Sequence, residues 1–386
     1  MSDSSIRTHH LGVAAHAARS ERDARMMDID LDRAPFTIAW EVTRACAYAC
    51  VHCRADAQPR RDPRELDREQ AGALIDALAG FGTRPILVLT GGDPLMRRDL
   101  FELTRRATDG GLRVALTPTA TALATSKRML QAREAGVRRV AFSVDGADTA
   151  THDAFRGFAG SFERTLTGIR NAAEAGLPLQ INTTVCAASR PALERLVPLL
   201  CEWDVVQWSV FFLVPTGRGS GLEMLSAAEH EQTLSWLCDL SPTVPFDIKT
   251  TAAPQYRRVC HQRRRRTAGA GFRFADGLDR PDQAKGVNDG RGFMFISHRG
   301  EVMPSGFLPV SAGNVRTDSP VSIYRDSQLF RELRNPESLK GKCRACEFRH
   351  VCGGSRARAY AVTGDYLQSD PSCAYEPAAT AGSQQK

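Results

Sequence analysis

After Pro35 the chain settles into a repeating alternation of short β-branched, apolar runs and longer segments with a single apolar face. The apolar runs fall at 36–42, 85–90, 113–117, 139–144, 179–185 and 205–214. Between them, the segments at about 66–81, 99–109, 125–135, 161–175 and 190–203 carry apolar residues at helical spacing. Asp67 and Gln70 stand as N-cap and N3 of the first segment, a capping-box arrangement that marks its start. Strands alternating with helices of this length predict βαβ units, right-handed crossovers and a parallel sheet. Six such units over 35–215 fit an α/β fold, either a partial TIM-like (β/α)6 barrel or a doubly wound sheet.

The flanks read differently. Residues 1–34 are polar and rich in Ala and Arg, a flexible arm whose His9, His10 and His16 give no reason to expect an ordered metal site. The pattern weakens over 216–290, read as a linker. Within it, 257–273 holds seven arginines and no acid, which predicts a solvated loop, with an anion-attracting rim for substrate carboxylates as the minor alternative. Strand-like alternation resumes at 293–297 and 301–303 around Arg299-Gly300, a hairpin. Residues 291–376 form a small cysteine-rich module of the kind that needs a metal staple, and 377–386 a disordered tail.

Composition narrows the class. Of 386 residues 42% are hydrophobic and 25% charged, enough for a sizeable core and incompatible with disorder throughout. A net charge of +7 without interleaved aromatics gives no case for nucleic acid. No apolar run approaches the roughly 18 residues of a membrane span, and none near the start suggests export, so a soluble, cytoplasmic protein is expected. In that reducing setting the 11 cysteines are not expected to form disulfides. Cys46, Cys50 and Cys53 form one group and Cys343, Cys346, Cys352 and Cys373 another, and both read as metal or iron–sulfur ligands. Cys186, Cys201, Cys238 and Cys260 are scattered and read as small buried hydrophobes.

The strand ends carry the chemistry. In parallel α/β folds the C-terminal ends of the strands share one face, and ligands bind there. The cysteine trio follows the first run, Gly91-Gly92-Asp93-Pro94 the second, and Ser143-Val144-Asp145-Gly146 the fourth. Asn182 and Thr184 lie in the fifth. Pro118 after the third run and Gly217 after the sixth read as turn residues. Trp203, Trp208, Phe211 and Phe212 read as core, with Phe212 or Trp208 the candidates for facing a pocket. Cys46-x3-Cys50-x2-Cys53 offers three soft ligands, suited to an iron–sulfur cluster or to zinc with His52 as the fourth. On a four-iron cluster, three ligands leave one iron open to a non-protein ligand, the condition catalysis needs.

These residues resemble the radical S-adenosylmethionine (radical SAM) family, whose mark is Cys-x3-Cys-x-aromatic-Cys after the first barrel strand. Here it reads Cys46-Ala-Tyr-Ala-Cys50-Val-His52-Cys53, with His52 in the aromatic position whose backbone contacts the adenine. The family's Gly-Gly-Glu-Pro motif stands as Gly91-Gly92-Asp93-Pro94 and would bind the methionyl amino group. Ser143 and Asp145 match further cofactor-side positions, and Asn182 a weaker one. The resemblance implies a 4Fe-4S cluster, S-adenosylmethionine, and cleavage of the latter to a 5′-deoxyadenosyl radical that abstracts hydrogen from the substrate. It also implies an external electron donor such as flavodoxin or ferredoxin.

The second cysteine group, by spacing alone, suits zinc or iron–sulfur equally. It resembles the SPASM group of the family, whose extension binds two auxiliary 4Fe-4S clusters. The sequence departs from that pattern at Ser305 and Arg356, which stand where two cysteines of the first auxiliary cluster would be, while Cys343, Cys346, Cys352 and Cys373 are all present. One auxiliary cluster is therefore expected. SPASM-type relatives mostly mature ribosomal peptides, the leading expectation. Others modify carboxylate side chains of tetrapyrroles in haem or haem d1 synthesis, the alternative. A non-enzymatic electron carrier or zinc-stapled binding protein is the remaining reading. No catalytic acid or base is identified.

Overall fold

The computed structural model describes residues 29–268 and 286–378. Seven parallel strands run in sequence order: β1 (Thr37–Thr43), β2 (Ile86–Gly91), β3 (Arg113–Leu116), β4 (Val137–Ser143), β5 (Leu179–Val185), β6 (Gln207–Phe212) and β7 (Asp247–Thr251). Helices α1 (Arg68–Leu78), α2 (Leu100–Asp109), α3 (Ser126–Glu134), α4 (Thr149–Arg156), α5 (Ser161–Glu174) and α6 (Leu193–Glu202) fill the connections between β1 and β6. The sheet is not closed by β7 meeting β1. Instead β8 (Phe293–Ile296) pairs in parallel with β1, and β9 (Glu301–Met303) and β10 (Gly313–Asn314) extend that edge antiparallel. The result is an open, partial barrel. Among the described residues no helix is long and apolar enough to cross a membrane.

Alternation along the strands explains which side is core. In β5, Leu179, Ile181, Thr183 and Val185 are buried against helices, whereas Gln180, Asn182 and Thr184 are half-buried on the concave side. Trp208 and Phe212 of β6 pack outward, Trp208 edge-on to Trp236 at 6.1 Å. The pocket-facing aromatic is therefore Phe211, not Phe212 or Trp208, because strand phase assigns the odd positions of β6 to the concave face. It meets Phe307 at 6.3 Å. The Asp67 box starts α1 as its sequence requires, with Asp67 accepting from the Gln70 amide at 2.9 Å and Gln70 accepting from the Asp67 amide at 3.2 Å.

Three expectations are corrected. The stretch read as a linker holds α7 (Ala227–Leu240), β7 and α8 (Gln255–Ala268), so the parallel run has seven strands rather than six. The arginine run begins as the helix α8, not a loop. Arg258 is buried and pairs with Glu231 at 2.6 Å, and Arg257 donates to the carbonyls of Val351 and Val287 at 2.7 and 2.8 Å. Its far end, including Arg273, lies outside the described residues. Cys238 and Cys260 join α7 to α8 as a disulfide, and Cys201 is exposed, so only Cys186 of the scattered four is a buried free thiol.

Most of the N-terminal arm, with its three histidines, lies outside the described residues, as does nearly all of the tail. The last residues of the arm are core. Ile29, Leu31 and Ala34 are buried, and the Leu31 carbonyl accepts from Tyr324 Oη at 2.6 Å. Beyond β10 the chain forms α9 (Pro320–Asp326), α10 (Gln328–Arg334), α11 (Gly341–Ala345) and α12 (Arg356–Thr363).

Candidate active site

β1 delivers the first cysteine group to the mouth of the barrel. Cys46 and Cys50 are 5% and 6% exposed and pack with Tyr48, which stacks on Phe158 at 4.6 Å. Backbone amides point at the sulfurs: Tyr48 N–H donates to Cys46 Sγ at 3.4 Å and Ala57 N–H to Cys53 Sγ at 3.5 Å. Burial pushes the Cys46 thiol up to about 11 and raises Cys50 as well. Thiolates so placed need a positive partner to form, which a metal cluster supplies on binding. Three clustered sulfurs, two of them receiving amide hydrogen bonds, fit a four-iron cluster with one open corner.

The glycine motif is a backbone packing surface. Gly91 has φ +151° and a Cβ there would stand 2.2 Å from the Thr43 carbonyl, while one on Gly92 would stand 2.3 Å from that of Ala45. Gly92 and Asp93 amides donate to Thr43 and Ala45 at 2.8 and 2.7 Å, stitching this loop to the one bearing the cysteines. Asp93 is fully buried with both oxygens engaged, one accepting from Thr121 Oγ1 at 2.6 Å and the other from the Leu95 amide at 3.1 Å. Burial raises its carboxyl pKa despite those bonds. Pro94 follows, starting a short 3-10 turn.

At the end of β4, Asp145 gathers a buried network. Its carboxylate accepts from the Thr184 amide at 2.7 Å and pairs with Arg156 at 3.3 Å, and His52 Nε2 lies 3.8 Å away. Burial would raise this carboxyl, but His52 and Arg156 beside it hold it below the usual carboxylate range. Since burial also pushes His52 down to about 4, Arg156 is the standing cation at neutral pH. Ser143 and Asn182 are register partners on the concave face, beside Ser209 of β6. His52, Ser143, Asp145 and Asn182 are therefore brought to one mouth with the cysteine trio and the glycine loop.

Sequence reasoning missed three parts of this mouth. Arg156 is 5% exposed and faces Cys50 and Cys46 electrostatically, while Phe155 stacks on His52 at 4.4 Å. The signal existed: His152, Phe155 and Arg156 fall at i, i+3 and i+4, one face of α4. Gly217 is more than a turn, because with φ +56° a Cβ there would meet the Cys53 carbonyl at 2.5 Å. Its neighbour Arg218 donates to the Cys50 carbonyl at 2.9 Å, clasping the cysteine loop from β6.

The second cysteine group is spread around α11 and α12: Cys343 lies within α11, Cys346 and Cys352 between the two helices, and Cys373 beyond α12. Amides of Phe348 and Gly354 donate to Cys346 and Cys352 Sγ, each at 3.4 Å. Burial pushes Cys346 to about 11 and Cys352 to about 12, and Cys343 and Cys373 lie close enough to act on both. Among the described residues no three His, Cys, Asp or Glu side chains are arranged as a single metal ion would need. Behind them Arg358 and Asp370 form a fully buried pair at 3.0 Å, and Arg358 also donates to the Ala252 carbonyl at 2.7 Å, past the end of β7.

Residues 40–186 match the radical SAM superfamily. An AdoMet-dependent heme synthase from Nitratidesulfovibrio vulgaris is 43% identical over 342 residues, spanning 88% of this chain and 92% of its own. The chain belongs to the radical SAM enzymes. A PqqA peptide cyclase from Bradyrhizobium diazoefficiens is 28% identical over 353 residues, covering 89% of this chain and 87% of the cyclase. In fold, the radical SAM chain is similar to Streptococcus suis SuiB bound to its precursor peptide SuiA. That match has a TM-score of 0.69 at 15% identity, over 89% of this chain and 76% of SuiB. These matches place it with the SPASM-type members.

Proposed function

We propose that this radical SAM enzyme oxidatively decarboxylates propionate side chains of a tetrapyrrole, the alternative that sequence alone ranked second. The observation that carries this reading is the 43% identity to a heme synthase along nearly the whole of both chains, against 28% to a peptide cyclase. Each turnover takes one hydrogen atom from a propionate methylene, releases the carboxylate as CO2, and passes on one electron, leaving a vinyl group.

The chain's own residues have separate tasks in that reaction. Cys46, Cys50 and Cys53 would hold the radical-forming 4Fe-4S cluster. Gly91, Gly92, Asp93 and Pro94 shape the loop against which the methionyl end of S-adenosylmethionine would lie. His52, Ser143, Asp145 and Asn182 line its remaining side, and Arg156 would balance a carboxylate there. Bound together, cluster and S-adenosylmethionine supply a carbon-centred radical able to abstract hydrogen. The buried mouth excludes water and oxygen from it. Cys343, Cys346, Cys352 and Cys373 would hold one auxiliary 4Fe-4S cluster, which would take the departing electron, and a flavodoxin- or ferredoxin-type donor would reduce the first cluster.

The test is anaerobic incubation of reconstituted protein with S-adenosylmethionine, dithionite and iron coproporphyrin. Mass spectrometry should find products lighter by one CO2 and two hydrogens per modified side chain. Steady 5′-deoxyadenosine release with an untouched tetrapyrrole refutes the substrate class and returns the peptide reading to first place.

A further inference from the structure

Arg356 occupies a sequence position where SPASM relatives carry a cysteine, and its burial is hard to explain by folding alone. The residue is 1% exposed. Its guanidinium donates to three carbonyls, those of Gly354 at 3.2 Å, Tyr366 at 3.0 Å and Gln368 at 2.7 Å, and its remaining nitrogen lies 3.7 Å from Cys343 Sγ. None of these partners is a carboxylate. Two residues on, Arg358 is just as deeply buried but has Asp370 against it at 3.0 Å. A buried cation with no carboxylate in hydrogen-bond contact is disfavoured, so Arg356 favours negative charge at the one polarisable atom it touches. That atom is a cysteine sulfur.

The local backbone is shaped to allow the contact. Gly354 has φ +67°, and a Cβ there would stand 2.6 Å from Arg356 Nη2 and 3.2 Å from Cys343 Sγ. Only glycine leaves the guanidinium room to reach the sulfur. Further cations surround the group: Lys342 Nζ donates to the Cys373 carbonyl at 2.6 Å, and Arg258 acts electrostatically on Cys352 and Cys373. On the opposing side, Asp370 acts on Cys373 and Glu347 on Cys346. Glu231 partly offsets Arg258, and Glu376 pairs with Lys342 at 3.2 Å. Arg257, which acts on Cys352, also has only carbonyl acceptors. Arg356 differs in reaching a sulfur directly, and the acid that acts on it from a distance, Asp365, is itself paired with Lys340 at 2.6 Å.

We propose that Arg356 is a positioning residue that raises the reduction potential of the four-cysteine cluster, by donating to Cys343 Sγ, and so makes that cluster the acceptor of the electron leaving the substrate. A hydrogen bond and a positive charge at a ligating sulfur favour the reduced, more negative cluster over the oxidised one. This inference rests on the reading of Cys343, Cys346, Cys352 and Cys373 as iron–sulfur ligands. Its balance is simple: the substrate radical loses one electron as CO2 departs, and the oxidised cluster gains it.

The experiment is an anaerobic redox titration of the auxiliary cluster, followed by electron paramagnetic resonance, in full-length protein reconstituted to about eight irons. Arg356→Gln should lower the midpoint, shifting the oxidised-to-reduced ratio about tenfold at fixed potential, equivalent to about 59 mV for one electron. Arg356→Lys should retain most of the wild-type midpoint, and Lys342→Gln should move it the same way as Arg356→Gln but by less. The first cluster's midpoint and uncoupled 5′-deoxyadenosine release should not change. An eight-iron Arg356→Gln protein with an unmoved midpoint overturns the proposal. If that variant loses its second cluster, Arg356→Lys and Lys342→Gln decide: a midpoint that falls by the full amount in Arg356→Lys, or one that stays unmoved in Lys342→Gln with normal product yield, overturns it. Wild-type protein holding four irons and one zinc refutes the underlying cluster reading instead, before any variant is made.

Discussion

Adding one methyl group to Gly92 tests the central geometric claim, that the glycine loop and the cysteine loop are stitched backbone to backbone. In Gly92→Ala the new Cβ would stand 2.3 Å from the Ala45 carbonyl oxygen and 2.6 Å from that of Arg44, where ordinary contact begins at 3.4 Å. The two loops must therefore part by about 1 Å, and neither contact is a flexible side chain that could swing aside. Overpacking of this kind costs about 1–3 kcal/mol of stability. The larger effect falls on positioning, because a shift of about 1 Å at a reacting centre costs on the order of 100-fold in rate. Cys46 sits one residue beyond the pushed carbonyl, so the displacement reaches the cluster directly. The assay is 5′-deoxyadenosine release under dithionite without substrate, normalised to iron content, alongside a thermal melt. A Gly92→Ala protein that cleaves S-adenosylmethionine at the wild-type rate would falsify the packing argument.

Other perturbations read out separate parts of the molecule. Replacing Cys46, Cys50 and Cys53 together by Ala should remove about four of eight irons and abolish 5′-deoxyadenosine formation while leaving the second cluster's spectrum intact. Asp370→Ala strands Arg358 without its buried partner and should lower stability by about 3–5 kcal/mol, measurable by denaturant titration. His230 stacks on Phe212 at 4.4 Å, and burial pushes its pKa down to about 3. A histidine neutral in the fold contributes stability that is fully present above pH 6.5 and is lost as pH falls towards 3. At pH 5 the loss from this residue is about 2 kcal/mol, so His230→Phe should flatten the melting temperature between pH 6.5 and 5. An equally steep decline in the variant would assign the acid sensitivity elsewhere.

Much of the barrel was legible because its signals are local. The β5 bounds of 179–185 follow from alternation alone, and α1 is announced by its capping box. The cysteine trio and the glycine motif were visible as residue types at fixed spacing. What escaped depended on tertiary context. β7 is a five-residue edge strand, Asp247–Thr251, with a charged residue in its middle, too short and polar to register as one. α8 carries so many arginines that the buried stripe of Val259 and Cys260 is lost in the average. Arg156 and the second role of Gly217 became visible only when α4 and the β6 loop were laid against the cysteines. What favours the proposed tetrapyrrole reading over a peptide is overall similarity along the chain, which no single motif expresses.

The parallel pairing of β8 with β1 has a consequence for how this architecture varies. Four ladder positions, Thr37 with Phe293 through Trp40 with Ile296, weld the cysteine-rich extension onto the founding strand of the barrel. Cutting the chain before residue 293 would strip a neighbour from the strand that delivers Cys46, leaving its hydrogen-bonding edge bare and prone to aberrant association. Chimeras that graft another extension onto this scaffold must bring along their own counterpart of 293–296, or the radical-generating half will not stand alone.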